Sequence, residues 1–345
     1  MPATPPALDV SPPLQPALSL PADFAHPTDG PGLFEPKVFT TARRTIRDRR
    51  RAPSEEAESP STAVPPPNPP HLVHGDNASS VWLYHGDCLD LLDAIAAQHA
   101  NGAFEMVFAD PPYFLSNGGV TCRAGRRVPV DKGKWDRSGG LPADHKFNLA
   151  WLRHCQRVLK PDGTLWVTGT FHNIFSVGFA LQQLGFRILN DIAWEKPNPP
   201  PNLSCRCFTH SVETLLWAAR GDATAYTFNY DQMRLINGGR QMQSVWTMPG
   251  PLPEEKALGE HPTQKPLALV TRCLLAATQT GDSVLDPFLG SGTTALACLR
   301  TTRRCVGIDR DLGYVRLAAA RVGAEVDRGA DLFAPCLETR PPVSS

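Results

Sequence analysis

Four consecutive residues, Asp110-Pro111-Pro112-Tyr113, follow the apolar run Met106-Val107-Phe108-Ala109. A carboxylate at the carboxyl end of a sheet strand lies where open α/β folds take ligands. The prolines stiffen the turn, Pro111 removes a backbone donor while keeping its carbonyl acceptor, and Tyr113 adds a flat face. Such a set suits a planar amine, whose two N–H donors the Asp110 carboxylate and a proline carbonyl would accept while the ring stacks on Tyr113. Holding both hydrogens out of the conjugated plane localises the nitrogen lone pair and makes it a nucleophile. A plain turn, with Asp110 as cap and Tyr113 as packing, accounts for each residue singly but not for the four together.

A second constellation is Val284-Leu285-Asp286-Pro287-Phe288-Leu289-Gly290-Ser291-Gly292-Thr293-Thr294, which ends a strand and opens a helix. Glycines let the backbone approach a ligand closely, and the helix start offers unpaired N–H groups to a carboxylate. Downstream, Cys305-Val306-Gly307-Ile308-Asp309 is another strand ending in an acid, at the distance where dinucleotide folds hold ribose hydroxyls. A triphosphate loop would carry lysine after its last glycine, and Thr293 stands there instead. A nucleoside with an amino-acid tail fits better.

These residues need a scaffold, and the texture of the chain from Val81 onward supplies one. Short apolar runs alternate with amphipathic ones, which predicts an α/β sheet. Strands are expected at 81–84, 105–109, 164–168, 187–194, 214–218, 283–286 and 304–308, and helices at 89–98, 146–159, 174–184, 266–278, 293–299 and 312–322. Gly163, Gly185 and Gly281 fall where helix C-caps are expected. Residues 221–260 break the rhythm and read as an insertion off the main sheet. Residues 1–75 hold about half of the chain's 35 prolines, with basic and acidic clusters and few aromatics. That predicts a disordered tail, with a DNA-touching arm at Arg47, Arg49, Arg50 and Arg51 as the alternative. A short tail is expected over 331–345.

No apolar run is long enough for a membrane span, and the start lacks a signal-peptide pattern. Nine scattered cysteines fit reduced thiols, so a soluble, cytoplasmic, nucleoid-associated protein of bacterial type is expected. Cys205 and Cys207 lack the two further ligands a zinc site requires, and no metal is expected. Formal net charge is zero, so contact with a polyanion must come from local patches. One such patch holds Arg123, Arg126, Arg127, Lys132, Lys134 and Arg137.

The tetrapeptide preceding the glycine loop resembles the β group of amino DNA methyltransferases, and the likeness spans roughly residues 80–325. Further matches are Tyr84-His85-Gly86-Asp87-Cys88-Leu89, Phe114-Leu115-Ser116-Asn117-Gly118-Gly119, Gly169-Thr170-Phe171-His172-Asn173-Ile174 and His261-Pro262-Thr263-Gln264-Lys265-Pro266. The resemblance implies a Rossmann-like fold with a doubly wound, mostly parallel sheet in circularly permuted order, the catalytic half before the cofactor half. It implies S-adenosyl-L-methionine as cofactor, with Phe288 to Thr293 around its methionine part and Asp309 on its ribose. Thr263 and Lys265 would meet its carboxylate end, and Asp87 and Cys88 would border its adenine; Asp110 and Asp286 complete the set.

By the same likeness the substrate is double-stranded DNA with the target base flipped, and the reaction site-specific, of the restriction-modification kind. An aspartate opening the tetrapeptide leans toward N6 of adenine, with N4 of cytosine as the alternative. RNA methylation and a catalytically silent DNA-binding regulator remain as further readings. Methylation of a ring carbon would need a nucleophilic cysteine, and the sole Pro-Cys pair, Pro335-Cys336, lies in the tail. The basic stretch, as part of a mobile loop over 118–140, is expected to grip phosphates. Residues 221–260, with Arg234, Asn237, Arg240, Gln241, Gln243 and Trp246, are expected to read base edges. A homodimer and a separate restriction endonuclease are the expected protein partners.

Overall fold

The computed structural model describes residues 70–337 apart from 78, 119, 124, 125, 130 and 204. The Pro-rich stretch through residue 69, with Arg47, Arg49, Arg50 and Arg51, lies outside the described residues, as do 338–345. In chain order the elements are β1 (His71–Asp76), β2 (Val81–His85), α1 (Cys88–Gln98), β3 (Phe104–Ala109), β4 (Val120–Arg123), β5 (Arg126–Pro129), α2 (Leu141–Val158), β6 (Leu159–Gly169), α3 (Ile174–Gln183), β7 (Arg187–Glu195), β8 (Val212–Ala219), α4 (Tyr230–Ile236), β9 (Val245–Thr247), α5 (Leu267–Ala277), β10 (Ser283–Asp286), α6 (Thr293–Arg300), β11 (Arg304–Asp309) and α7 (Leu312–Leu337). None of the helices among the described residues is long and apolar enough to cross a membrane.

Among the described residues nine strands form one sheet in the order β1-β2-β11-β10-β3-β6-β8-β7-β9, and β4 and β5 make a separate hairpin. Strands β2, β11, β10, β3 and β6 run parallel, whereas β8 is antiparallel to both β6 and β7. The central strands are buried along nearly their whole length, because helices cover both faces and an alternating pattern has no solvent face to serve. One core packs α1, α2 and α3 around Trp151, Leu152 and Phe104, and the other packs α5, α6 and α7 around Val270, Leu274 and Val315.

The chain leaves β10 toward β11 on one side and β3 toward β6 on the other. Their paired registers, Val284 beside Met106 and Leu285 beside Val107, set the carboxyl ends of β10 and β3 next to each other. A crevice must open where adjacent connections diverge. Asp110 and Asp286 stand at that point.

Several expectations need correction. Gly163 lies inside β6 and caps no helix; its added Cβ would meet the carbonyls of Lys160 and Phe104 at 3.0 Å, so close backbone approach explains the glycine. Gly185, by contrast, ends α3 at φ +78, with the Phe186 amide bonding back to Leu181. Helix α2 begins at Leu141 rather than 146, its polar first turn having hidden the period. Strand β1 falls inside the expected tail, and α7 continues through 331–337. Residues 221–260 do not stand wholly off the sheet: β9 pairs with β7 at its edge, and Met233, Trp246 and Met248 are buried in the core.

Candidate active site

The end of β3 presents Asp110 to three donors. Its Oδ1 accepts from the Tyr113 hydroxyl at 2.8 Å and from Thr168 on β6, and its Oδ2 pairs with the Lys265 ammonium at 2.6 Å. Lys265, 6% exposed, lies just before α5 and also stands 3.7 Å from Glu213 on β8. Burial disfavours its charge, but the Asp110 and Glu213 carboxylates outweigh that and hold its pKa above the ordinary lysine value. Tyr113 is buried, with its ring 5.1 Å from Lys265 Nζ and 5.5 Å from Lys132 Nζ. Burial first, then the adjacent Asp110 and Glu213, push its phenol well up, so it stays a neutral donor.

The turn after β3 is held by a carboxylate that lies among the basic residues of the 118–140 stretch. Asp136, fully buried, accepts from the amides of Tyr113 (3.0 Å) and Leu115 (3.2 Å) and from the Ser116 hydroxyl (2.8 Å). These bonds bracket Phe114, whose φ of +58 is left-handed, a strained state that surrounding contacts must fix. Ser116 in turn accepts from the Lys132 amide at 2.8 Å. The segment expected as a mobile loop thus contains the β4–β5 hairpin, with Arg123, Arg126 and Arg127 on its strands, and a 3-10 turn at Lys134–Asp136. Lys132 faces the Tyr113 ring rather than a free surface, whereas Lys134 is exposed.

Beyond Asp110 opens a cavity of about 850 Å³ lined by Asp87, Cys88, Asp110, Phe147, Thr263, Lys265, Asp286, Phe288, Gly290, Ser291, Thr293 and Asp309, among others. Asp309 accepts from the amides of Gly290 and Asp311, each at 2.8 Å, leaving further lone pairs for a ligand's hydroxyls. Asp286 holds the loop's shape: it accepts from the Phe288 amide at 3.0 Å and the Thr294 hydroxyl at 2.6 Å, and burial pushes its carboxyl up to about 7. Gly292 sits at φ +80 with room for no Cβ, since one would lie 2.6 Å from that of Ala318 on α7. Thr293 donates to the Lys265 carbonyl at 3.3 Å, joining the glycine loop to the segment before α5. Asp87 caps α1 through the Leu89 amide at 2.9 Å and pairs with Arg310 at 3.3 Å, so it is cap and cavity wall together. Burial pushes the Cys88 thiol up to about 12, keeping it an uncharged wall. His261, which stacks on Trp135 and lines the same cavity, was not counted among the site residues; burial pushes its pKa down to about 4.

A second cavity of about 440 Å³ is walled by Tyr113, Trp194, Lys196, Glu213 and Pro249 among others. Lys265, Thr263 and Lys132 border both cavities. Lys265, expected beside a cofactor carboxylate, is therefore engaged by Asp110. Pro112 offers its carbonyl to Asn173 at 3.3 Å. Of the expected base readers, Arg234 lies on α4 with its guanidinium on the Gly239 carbonyl and over the Tyr230 ring, and Arg240 is exposed. Trp246 is 5% exposed and its indole N–H donates to the Gln243 carbonyl, so it is a core residue and reads no base.

The family model for N6/N4 DNA methylases matches residues 104–320. The type II methyltransferase M2.DpnII of Streptococcus pneumoniae is 49% identical over 250 residues, covering 72% of this chain and 92% of the relative. M2.LlaDCHI of Lactococcus lactis subsp. cremoris is 48% identical over 241 residues, covering 70% and 88%. Among solved structures, M1.HpyAVI in complex with S-adenosylmethionine aligns with a TM-score of 0.52 at 26% identity, over 70% of this chain and 99% of that one. The cytosine-N4-specific PvuII methyltransferase aligns at 0.54 with 18% identity, over 72% and 92%, a likeness of fold alone. With the tetrapeptide, the glycine loop and their shared crevice in place, the chain belongs to the N6/N4 family of DNA methylases, S-adenosylmethionine-dependent enzymes that methylate amino groups of DNA.

Proposed function

We propose that the methylated group is N6 of an adenine flipped out of double-stranded DNA, and that Asp110 receives it. The observation that carries this reading is that Asp110 lines a cavity of nucleoside-plus-amino-acid size, while its partners Tyr113 and Lys265 line a smaller one. Adenine is preferred because an aspartate opens the tetrapeptide, the feature that leans toward adenine in this family.

The larger cavity fits the cofactor by its chemistry: acidic groups at Asp309 and Asp87, apolar walls at Phe288 and Phe147, and a glycine loop admitting close approach. Asp309 would hold the ribose, Phe288 to Thr293 the methionine part, Thr263 its carboxylate end, and Asp87 and Cys88 the adenine edge. When bound, S-adenosylmethionine supplies an electrophilic methyl carbon, which the base nitrogen takes as the carbon–sulfur bond breaks.

The chain's own residues make the nitrogen reactive. Asp110 and a carbonyl of Pro111 or Pro112 accept its two hydrogens, Tyr113 lies against the ring, and the Asp110 charge stabilises the positive charge growing on nitrogen. The nitrogen then sheds its extra proton, with Asp110 the nearest base. Flipping costs a few kcal/mol, and stacking on Tyr113 returns ~1–3 kcal/mol. The hairpin arginines and Lys134 would grip phosphates, and Arg234 and Arg240 would face the bases. The circularly permuted order, a homodimer, a separate restriction endonuclease and action at the bacterial nucleoid belong to the same reading. The type II names of the relatives support the endonuclease.

The test is transfer from radiolabelled cofactor to unmethylated DNA, followed by digestion to nucleosides, with Asp110→Ala in parallel. Label in N6-methyldeoxyadenosine, lost in the variant, is the expected result. Label in N4-methyldeoxycytidine would overturn the choice of base, and no label in either, with cofactor binding intact, would overturn the reading altogether.

A further inference from the structure

As it stands, Asp110 keeps at most one lone pair, on Oδ2, for an incoming amine. Its Oδ1 already takes the Tyr113 and Thr168 hydroxyls, and its Oδ2 is paired with an ammonium. A cation 2.6 Å away neutralises the charge that a positively charging nitrogen needs, and it would repel that nitrogen as the reaction advances.

Glu213 stands ready for the displaced groups. Its Oε2 is 3.1 Å from the Tyr113 hydroxyl and 3.7 Å from Lys265 Nζ, and its Oε1 pairs with Lys196, whose ammonium lies 4.6 Å from the Trp194 ring. The phenol has one proton and two carboxylate neighbours, so it can donate to only one at a time. Burial pushes the Glu213 carboxyl up, but Lys265, Lys196 and the phenol outweigh that and hold it below the ordinary glutamate value. It lines the smaller cavity, and Asp110 lines the larger one.

We infer that Glu213 is a positioning residue that receives the Lys265 ammonium and the Tyr113 hydroxyl when a base amine takes their places on Asp110. This rests on the reading of Asp110 as the amine's acceptor. The exchange needs only a rotamer-scale shift of Lys265, because both carboxylates already flank it. It leaves Asp110 negative and open on the side the amine approaches, while the site's total charge does not change.

The test is single-turnover methyl transfer at saturating cofactor and DNA, for Glu213→Gln alone and combined with Lys265→Met. Glu213→Gln removes the charge that draws Lys265 away, so the rate should fall roughly 10- to 100-fold, the size of one charge-assisted hydrogen bond. Cofactor affinity should stay within about 3-fold, since Glu213 itself does not line the larger cavity. Removing Lys265 as well should restore most of the loss, because the competing cation is then gone. A merely structural role predicts the opposite, a double variant as slow as Glu213→Gln or slower, and that result overturns the inference, as does a wild-type rate for Glu213→Gln.

Glu213→Asp, which keeps the charge at shorter reach, should fall between the two and serves if the glutamine variant fails to fold. A structure of the wild-type protein with DNA and the demethylated cofactor should place Lys265 Nζ closer to Glu213 than to Asp110. Nζ still on Asp110 there would also overturn it. If wild-type protein labels neither deoxyadenosine nor deoxycytidine, it is the amine reading that fails, and the two failures are thereby distinguished.

Discussion

The Arg321 guanidinium on α7 donates to both the carbonyl (2.6 Å) and the hydroxyl (3.0 Å) of Ser291. Ser291 sits between the two glycines of the loop, and both residues are buried. A buried cation on a loop carbonyl fixes the peptide plane, which orients the amides that face the cavity. Arg321→Met keeps most of the aliphatic bulk and removes both bonds. Cofactor Kd should rise about 10-fold, the equivalent of one to two hydrogen bonds, while kcat at saturation changes little. Calorimetric titration of the cofactor checks this, and an unaltered Kd would show that the loop holds its shape unaided.

Asp136 makes a similar demand at the other loop. Asp136→Ala leaves the Tyr113 and Leu115 amides without their acceptor and releases Phe114 from its left-handed state. The loss should be on the order of 3 kcal/mol of stability in urea unfolding. Activity should fall further than stability explains, because Tyr113 loses its place. Asp136→Asn, which keeps one acceptor, should be milder on both counts. Equal behaviour of the two variants would refute the clamp.

What could be read from the sequence was contiguous. Asp110 to Tyr113 and Asp286 to Thr294 carry their geometry within one strand-to-loop step, so local spacing specifies it. Lys265 and Asp110 meet across 155 positions, and only the pairing of β10 with β3 and the packing of α5 bring them together. Glu213 lies in the otherwise ordinary strand pattern of β8, and Asp136 among arginines and lysines, where a carboxylate reads as charge balance. Trp246 misled because an aromatic among arginines and glutamines looks exposed until β9 is seen to extend the sheet edge. Tertiary placement, rather than residue type, decided each of these.

Acid stability should separate two groups, buried Asp286 and half-buried His261, whose shifts have opposite sense. Burial pushes the Asp286 carboxyl up from its ordinary 3.8 to about 7. Between those values the folded protein keeps a proton that the unfolded chain has lost, so this group's contribution falls as pH rises. Burial pushes His261 from 6.5 down to about 4. There the unfolded chain binds a proton that the folded one refuses, so its contribution grows as pH rises. The two slopes oppose, each at most about 1.4 kcal/mol per pH unit. Unfolding free energy of the wild type should be nearly flat between about pH 4.5 and 6.5 with respect to this pair. Asp286→Asn should make it climb with pH and His261→Gln should make it decline. Parallel curves for all three proteins would contradict both assignments.

The hairpin and the α4 region should differ in how they respond to salt. Arg126 pairs with Arg123 in the register of β4 and β5, and Arg127 with Cys122, so the strands carry three arginines shortly after the Asp110–Tyr113 turn. Phosphate contacts release counterions, and each contributes about 0.9 to the slope of log affinity against log salt. Replacing Arg126 and Arg127 together by alanine should therefore lower that slope by nearly 2 units (about 0.9 each) and weaken all DNA sequences alike. Arg234→Ala and Arg240→Ala should instead leave the slope nearly unchanged and relax the choice among sequences, since contacts to base edges discriminate without releasing many ions. Equilibrium binding at several salt concentrations, with a randomised and a methylation-competent duplex, distinguishes these outcomes. A slope that falls for Arg234 and Arg240 but not for the hairpin would exchange the two roles.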